Sequence, residues 1–187
     1  GDDAAVSSFS IAGRFRPGRS YTVSLGAVRD EHGQRLARAW SKRVAFDDLW
    51  PTAEIGLLGS LFEPAARRAI PVSSINVEGF ELATAPLDEG AVLSLAARAR
   101  SGGGALGVED LRKMPGGSVK TVRPSAGKNR VATERVDPAA VLGGKDKRGP
   151  VALAMTYTEK PGFRWAREAR RVRVAQVTDL GISAKVS

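Results

Sequence analysis

The chain has 187 residues, 42% hydrophobic and only 6% aromatic, so it can bury a sizeable core built mainly from aliphatic side chains. The absence of cysteine excludes disulfides, thiolate metal ligands, a cysteine nucleophile and an internal thioester within this chain. The formal net charge of +9 raises nucleic-acid binding as a candidate function, but the basic residues are mostly scattered along the sequence. Since no long uninterrupted apolar run occurs, no membrane-spanning helix is predicted.

The first 49 residues predict β structure. The stretch SYTVSLGAV alternates apolar and polar residues, and SKRVAFDD does so again after the polar connection RDEHGQRL. Pro17 and Gly18 predict a turn just before Tyr21, which is the layout of a tyrosine corner, where the phenol hydroxyl bonds to nearby backbone. About three strands are too few to close a sandwich, so either upstream strands are missing or this segment pairs with something else.

A second domain is predicted over residues 50–178. Trp50 and Pro51 mark its start, because a proline favours extended backbone before it and interrupts a hydrogen-bond ladder. Roughly seven or eight short apolar-alternating segments follow up to residue 178, with the spacing of a β-sandwich.

An insertion over residues 88–115 breaks this strand pattern. DEGAVLSLAARARS has apolar residues clustered as in a helix, and Asp88 and Glu89 stand where a helix dipole favours acidic groups. SGGGALG ends this helix, and GVEDLRKMPGG predicts a second short one. The sequence leaves open whether the insertion folds over the sheet or stays mobile.

The densest basic stretch, RWAREARRVRV, precedes the end of the last complete strand. Its alternation predicts Val172 and Val174 facing inward and Arg171 and Arg173 facing outward. Interleaved arginines could bind phosphates, but a solvated strand with charges that protect a sheet edge explains them better.

The strand phase changes after TDLG, where Gly181 supplies a flexible point. Ile182, Ala184 and Val186 then alternate with polar residues, as in a strand that has no core of its own here. Residues 179–187 are therefore predicted to be a linker or the start of a next domain, and the chain is expected to belong to a longer array.

Residues with catalytic chemistry are sparse. The one histidine, His32, lies in a predicted turn, so no serine triad can be assembled around it convincingly. The acidic pairs at 30–31 and 47–48 lack the ligand loop of a calcium site, and the glycines at 102–104 lack the context of a phosphate loop. No catalytic residue, cofactor site or metal site is predicted, and the chain is not expected to be an enzyme.

Three stretches together resemble parts of bacterial alpha-2-macroglobulin-like proteins. FRPGRSYTVSLGAVRDEHGQRLARAWSKRVAF resembles the closing half of a bacterial immunoglobulin-like (Ig-like) module, which implies that residues 1–49 are an incomplete Ig-like segment. WPTAEIGLLGSLFEPAARRAIPVSSINVEGFEL is similar to the opening of a macroglobulin domain, with Pro51 at its start and Asn76 before its third strand. RRVRVAQVTDLGISAKVS looks like the passage into the next macroglobulin domain, marked by Asp179, Leu180 and Gly181.

The resemblance implies a mainly β chain, an antiparallel Ig-like and macroglobulin β-sandwich with a short helical insertion. It implies a structural and interaction module of a periplasmic or cell-envelope protein that traps or restrains proteases. The thioester motif of that family is missing, so its chemistry is not expected here, and no cofactor is expected either. The expected partners are neighbouring domains of the same longer protein, with proteases reached through the full-length protein. No nucleic acid is expected, and a membrane only through an anchor outside this chain.

Two other functions stay open on the sequence alone. An Ig-like surface or adhesion module with no inhibitor role fits the same strand pattern. Nucleic-acid binding by the arginine-rich strand is the third possibility. The insertion at 88–115 is interpreted as a possible contact element for neighbouring domains.

Overall fold

A computed structural model describes residues 10–26, 29, 32–35, 38–56, 61–62, 69–100, 106–159 and 168–179. It divides the chain into two compact units, Gly1–Leu49 and Trp50–Ser187. The strands of both units are mostly antiparallel and the helices are short, which confirms the predicted β-sandwich class with a helical insertion.

The first unit is built on one antiparallel strand pair, β1 (Ser20–Leu25) and β2 (Trp40–Ala45). Alternate residues of β1, beginning with Tyr21, are half-buried, while those between them are exposed, as the sequence pattern predicts. The described residues of this unit contain two strands, where the sequence predicts about three.

The second unit has eight described strands, within the predicted number, and three described helices. In chain order these are β3 (Thr52–Ile55), β4 (Leu61–Phe62), β5 (Ile70–Ile75), β6 (Phe80–Pro86), α1 (Glu89–Arg100), α2 (Val108–Arg112), β7 (Ser118–Val122), β8 (Val131–Val136), α3 (Pro138–Val141), β9 (Gly149–Thr158) and β10 (Glu168–Val177).

These strands form a five-stranded sheet, in the order β4-β10-β9-β6-β7, and a three-stranded sheet, in the order β3-β5-β8. All neighbours are antiparallel except β4 and β10. The chain passes from one sheet to the other between β5 and β6, and again between β7 and β8. These crossovers connect the two sheets covalently. The main core lies between the sheets, where Leu82, Leu153 and Met155 of the larger sheet pack in one cluster with Ile70 and Val72 of the smaller one.

The opposite face of the five-stranded sheet is also covered. Val108 and Leu111 of α2 are buried there in a second apolar cluster. The fully buried strand residues beneath them are alanines, which let a helix approach closely: Ala83, Ala85, Ala152 and Ala154. After α2 the chain turns so tightly that a side chain at Gly117 would collide with the carbonyl of Leu111.

The structure thus decides the question that the sequence leaves open about the insertion, because α2 folds over the sheet. Helix α1 begins after Asp88, whose carboxylate accepts a hydrogen bond from the amide of Ala91 (2.7 Å). Ala91 and Leu95 of α1 pack against the same cluster as α2, whereas Val92 and Leu93 are exposed to solvent.

The predicted orientation of the last strand is wrong. Arg171 is paired with Met155, a residue of the inter-sheet core, so Arg171 and Arg173 lie on the inter-sheet face of β10. Val172 lies on the other face and packs against the helical layer, and Val174 shares that face but is 40% exposed. The prediction failed because both faces of this sheet are covered, so valine alternation does not identify one inward side.

An inward arginine is tolerated at this position because it has polar partners and remains partly exposed. The guanidinium of Arg171 lies 5.8 Å from the ring centroid of Tyr157 and donates a 3.3 Å hydrogen bond to its hydroxyl. A carboxylate oxygen of Glu159 lies 3.9 Å away.

Helix α3 is not among the elements predicted from the sequence. Its signal was present, because Asp137 caps the helix by accepting a hydrogen bond from the amide of Ala139 (2.9 Å), and Pro138 occupies the first turn. Val141 and Leu142, at its end, pack against the inter-sheet core.

We expect the helical layer to contribute to the stability of the whole second unit. Leu111→Ala removes a side chain that is 0% exposed and should lower the free energy of unfolding by about 2–5 kcal/mol, through lost burial and the cavity left behind. Urea unfolding followed by circular dichroism measures the change.

The matched control is Leu93→Ala, since Leu93 is 64% exposed and its loss should change stability by less than about 0.5 kcal/mol. Equal effects of the two substitutions would show that the helices are not packed as described.

Candidate functional site

Tyr21 has the geometry of a tyrosine corner in the first unit. Its hydroxyl accepts a hydrogen bond from the backbone amide of Arg16 (2.9 Å). Its ring packs edge-on against Phe15 and Phe46, with centroids 5.2 and 5.7 Å away. These contacts hold the chain entry against the strand pair and give Tyr21 a structural role.

Asn76 links the crossover from β5 to β6 with the crossover from β7 to β8. Its backbone has a left-handed φ of 53°, and Asn129 has one of 61°. The Asn76 amide nitrogen donates to the side-chain oxygen of Asn129 (2.9 Å), and its own oxygen accepts from the backbone N–H of Asn129 (2.7 Å). The sequence does not single out Asn129, although an asparagine before a strand in a glycine-containing turn is a recognisable signal.

The remaining motif residues lie at the ends of the second unit. Pro51 directly precedes β3. The carboxylate of Asp179 accepts a hydrogen bond from the guanidinium of Arg148 (2.7 Å), which raises the pKa of that guanidinium. Leu180 and Gly181 lie outside the described residues. The contacts described for Asn76 and Asp179 involve different partners, Asn129 and Arg148, so these contacts do not join the two motif residues in one site.

The described residues offer little catalytic chemistry. His32 lies in a turn, as predicted. Among the residues with described positions, no three acidic or histidine side chains gather as a metal site. In the same part of the chain, no helix has the length and apolar character needed to cross a bilayer.

The feature with most potential for binding is the seam, which we define as the open side of the sandwich between β7 and β8. These strands are the outermost members of their sheets. Within the described parts of the chain, no other backbone segment pairs with their outer edges. The seam therefore exposes two rows of unpaired backbone groups.

The hydrogen-bond register shows which groups of β7 are free. The amide of Leu87 donates to the carbonyl of Pro150 (2.8 Å), so the odd-numbered residues of β6 bond to β9 and the even-numbered ones to β7. Lys120 lies opposite one of these even-numbered residues. The N–H and C=O groups of Val119 and Thr121 consequently point outward, to the seam.

The same reasoning applies to β8. The amide of Gly56 donates to the carbonyl of Pro71 (2.8 Å), which assigns the even-numbered residues of β5 to the ladder with β8. The backbone groups of Val131, Thr133 and Arg135 therefore point outward.

One ion pair bridges the two edges of the seam. Lys120 on β7 and Glu134 on β8 both lie on inter-sheet faces, and Lys120 Nζ is 3.1 Å from Glu134 Oε2. Charged residues directed inward on edge strands prevent unwanted strand pairing. The pair is half-exposed, so its contribution to stability is small, about 0–1 kcal/mol.

Two cavities open along the seam. The larger, of about 410 Å³, is bounded by Leu82, Ser118 and Lys120 on one side and by Val136 and α3 on the other. The smaller, of about 240 Å³, lies beside Glu134 under the loop between β7 and β8. A space of this size suits part of a peptide or a small molecule.

The second unit is thus a β-sandwich domain with an open seam. Solved structures share the fold of the chain. The chain is similar in fold to a crystal structure of native alpha-2-macroglobulin from Escherichia coli spanning domains MG0-NIE-MG1, with a TM-score of 0.50 and 11% identity over 92% of this chain. It is also similar to the native conformation of E. coli alpha-2-macroglobulin seen by electron cryomicroscopy, with a TM-score of 0.50 and 11% identity over 88% of this chain.

The structural neighbours are thus bacterial alpha-2-macroglobulins, as the sequence motifs suggest. This chain spans 54% of the chain in the first of these structures and 10% of the chain in the second. No protein-family model and no curated protein sequence matches the chain.

We expect the asparagine pair to stabilise the crossovers. Asn76→Gly keeps the left-handed backbone but removes both side-chain hydrogen bonds, and should cost about 1–3 kcal/mol of unfolding free energy. Asn76→Ala should cost about 1 kcal/mol more, because alanine is strained at positive φ. Denaturant unfolding of the whole chain measures both values.

Ser125→Ala, in the loop that carries Asn129, is the control and should stay within about 0.5 kcal/mol of the unchanged protein. If the glycine and alanine variants of Asn76 were equally stable, the left-handed backbone would not be a constraint.

Proposed function

We propose that this chain is a structural and interaction module of a bacterial alpha-2-macroglobulin-like envelope protein, and that it contributes to protease inhibition or trapping without carrying the thioester. The observation that carries this proposal is the fold similarity to E. coli alpha-2-macroglobulin over 92% of the chain. The order of the three sequence motifs, from the Ig-like entry to the TDLG passage, supports it independently.

The composition limits what this module contributes. With no cysteine in the sequence, it cannot form the covalent link that a thioester makes to a protease. Its role is to position other domains, which agrees with a sandwich whose larger sheet is buried on both faces. A sheet packed on both faces resists deformation, so it can hold neighbouring domains at a fixed spacing.

A module of this kind belongs in the cell envelope. A chain that acts with alpha-2-macroglobulin-like domains would work in the periplasm or elsewhere in the cell envelope, with neighbouring domains of the same longer protein as its permanent partners. Proteases would be contacted through the full-length protein.

Protease protection by the complete native polypeptide that contains this chain tests the function. After incubation with a protease, hydrolysis of a large protein substrate should fall, while hydrolysis of a small chromogenic peptide should persist, because a trapped protease excludes large substrates only. Both activities are measured on the same sample.

The same polypeptide with Leu111→Ala is the comparison for the contribution of this module, and its protection should be weaker at temperatures where the second unit unfolds. Full hydrolysis of the protein substrate by serine, cysteine and metalloproteases alike would contradict the proposal.

A further inference from the structure

The seam between β7 and β8 carries a concentration of positive charge that the trapping role does not use. Residues 118–136, which form both strands and the loop between them, include five basic residues and a single acidic one. The basic residues are Lys120, Arg123, Lys128, Arg130 and Arg135, and the acidic residue is Glu134. A surface of this kind attracts acidic partners and raises their association rates.

The outward backbone groups of β7 can form hydrogen bonds, which fix the position and direction of a bound segment. Charge attraction alone does not fix either. The outward N–H and C=O groups of Val119 and Thr121 lie in regular extended backbone and can pair with an added strand. On the inter-sheet face, this strand would lie beside Ser118 and Lys120, and on the helical face beside Val119, which is half-buried against the α2 cluster.

These two faces define the pattern of the guest. Side chains directed to the inter-sheet face would meet the ammonium group of Lys120, so carboxylates suit them. Side chains on the other face would lie next to Val119 and Met114, so β-branched apolar residues suit them. An alternating acidic and apolar segment satisfies both conditions.

Strand β8 has a free edge too, but it fits an acidic guest less well. Its inter-sheet face presents Glu134 at the middle of the strand, which would repel a carboxylate there. On β7 the corresponding position is Lys120. An acidic guest therefore favours the β7 edge, where the inward charged residue is Lys120, over the β8 edge, where it is Glu134.

We propose that the outer edge of β7 binds an extended acidic segment of a partner polypeptide, which adds as a further strand of the five-stranded sheet. In the free protein, Lys120 forms its ion pair with Glu134. When the guest binds, a guest carboxylate replaces Glu134, wholly or in part, as the partner of Lys120. The Lys120–Glu134 pair then acts as a competitor for the site. This site is independent of the protease-trapping role.

The test uses the whole chain and a short capped peptide in which valine and glutamate alternate, with binding measured by fluorescence anisotropy. The first control peptide has the same side chains but N-methylated amides on alternate residues, which removes its edge donors. The parent peptide should bind about tenfold more tightly than the methylated one, because hydrogen bonds to the β7 edge are lost.

Substitutions in the protein locate the site. Thr121→Pro removes an outward donor without breaking the ladder to β6, and should weaken peptide binding about tenfold. Thr133→Pro makes the same change on the β8 edge and should have no effect on binding. Circular dichroism checks that both variants are folded.

The ion pair gives a second readout that does not depend on proline variants. Glu134→Gln should tighten binding of the acidic peptide by about twofold to fivefold, because Lys120 is released from its competitor. Lys120→Gln should weaken binding and reduce its salt dependence.

Three results would each overturn the proposal. The methylated peptide binding as tightly as its parent would show charge attraction without strand addition. If Thr133→Pro weakened peptide binding and Thr121→Pro left it unchanged, the guest would bind to the edge of β8 and not to that of β7. Single-stranded DNA of equal charge binding as tightly as the peptide would make the seam a general polyanion surface. The protease-protection experiment is unaffected by any of these outcomes, so the two proposals fail separately.

Discussion

Strand β9 is the element on which the second unit depends, because its residues 151–155 are essentially inaccessible to solvent on both faces. Val151, Leu153 and Met155 face the smaller sheet, and Ala152 and Ala154 face the helical layer. Large aliphatic residues fill the wide gap between two sheets, whereas alanines permit the close approach of a helix. One strand therefore connects both apolar clusters, so that a disturbance on either face affects the whole unit.

The inner face of the larger sheet is covered by the three-stranded sheet and by one turn of helix, α3. At the seam, the edge strands of the two sheets lie next to each other, and neither outer edge pairs with another described strand. Proteins usually protect such edges with charge. Here Lys120 and Glu134 form an ion pair across the gap, and both side chains remain about half-exposed.

A protein assembled from β-sandwiches needs rigid domains and surfaces that accept neighbours, and this chain has features suited to both. The rigid part is the double-sided core. The surfaces are the seam and α1, whose outer residues Val92 and Leu93 are exposed. Chemistry is not required of such a module, which agrees with a sequence that has one histidine and no cysteine. The solved structures that share this fold are alpha-2-macroglobulins.

Local sequence signals determined the β class, the approximate number of strands, the helical insertion and the turn before Tyr21, because strand alternation, proline and glycine act over a few residues. Only the tertiary structure decided which face of each strand is buried. Arg171 faces the inter-sheet side because pairing with β9 fixes its register, and alternation in a single strand carries no information about what covers either face. The Asn76–Asn129 and Lys120–Glu134 contacts were equally beyond the sequence, since each joins residues that come together only when the chain crosses from one sheet to the other.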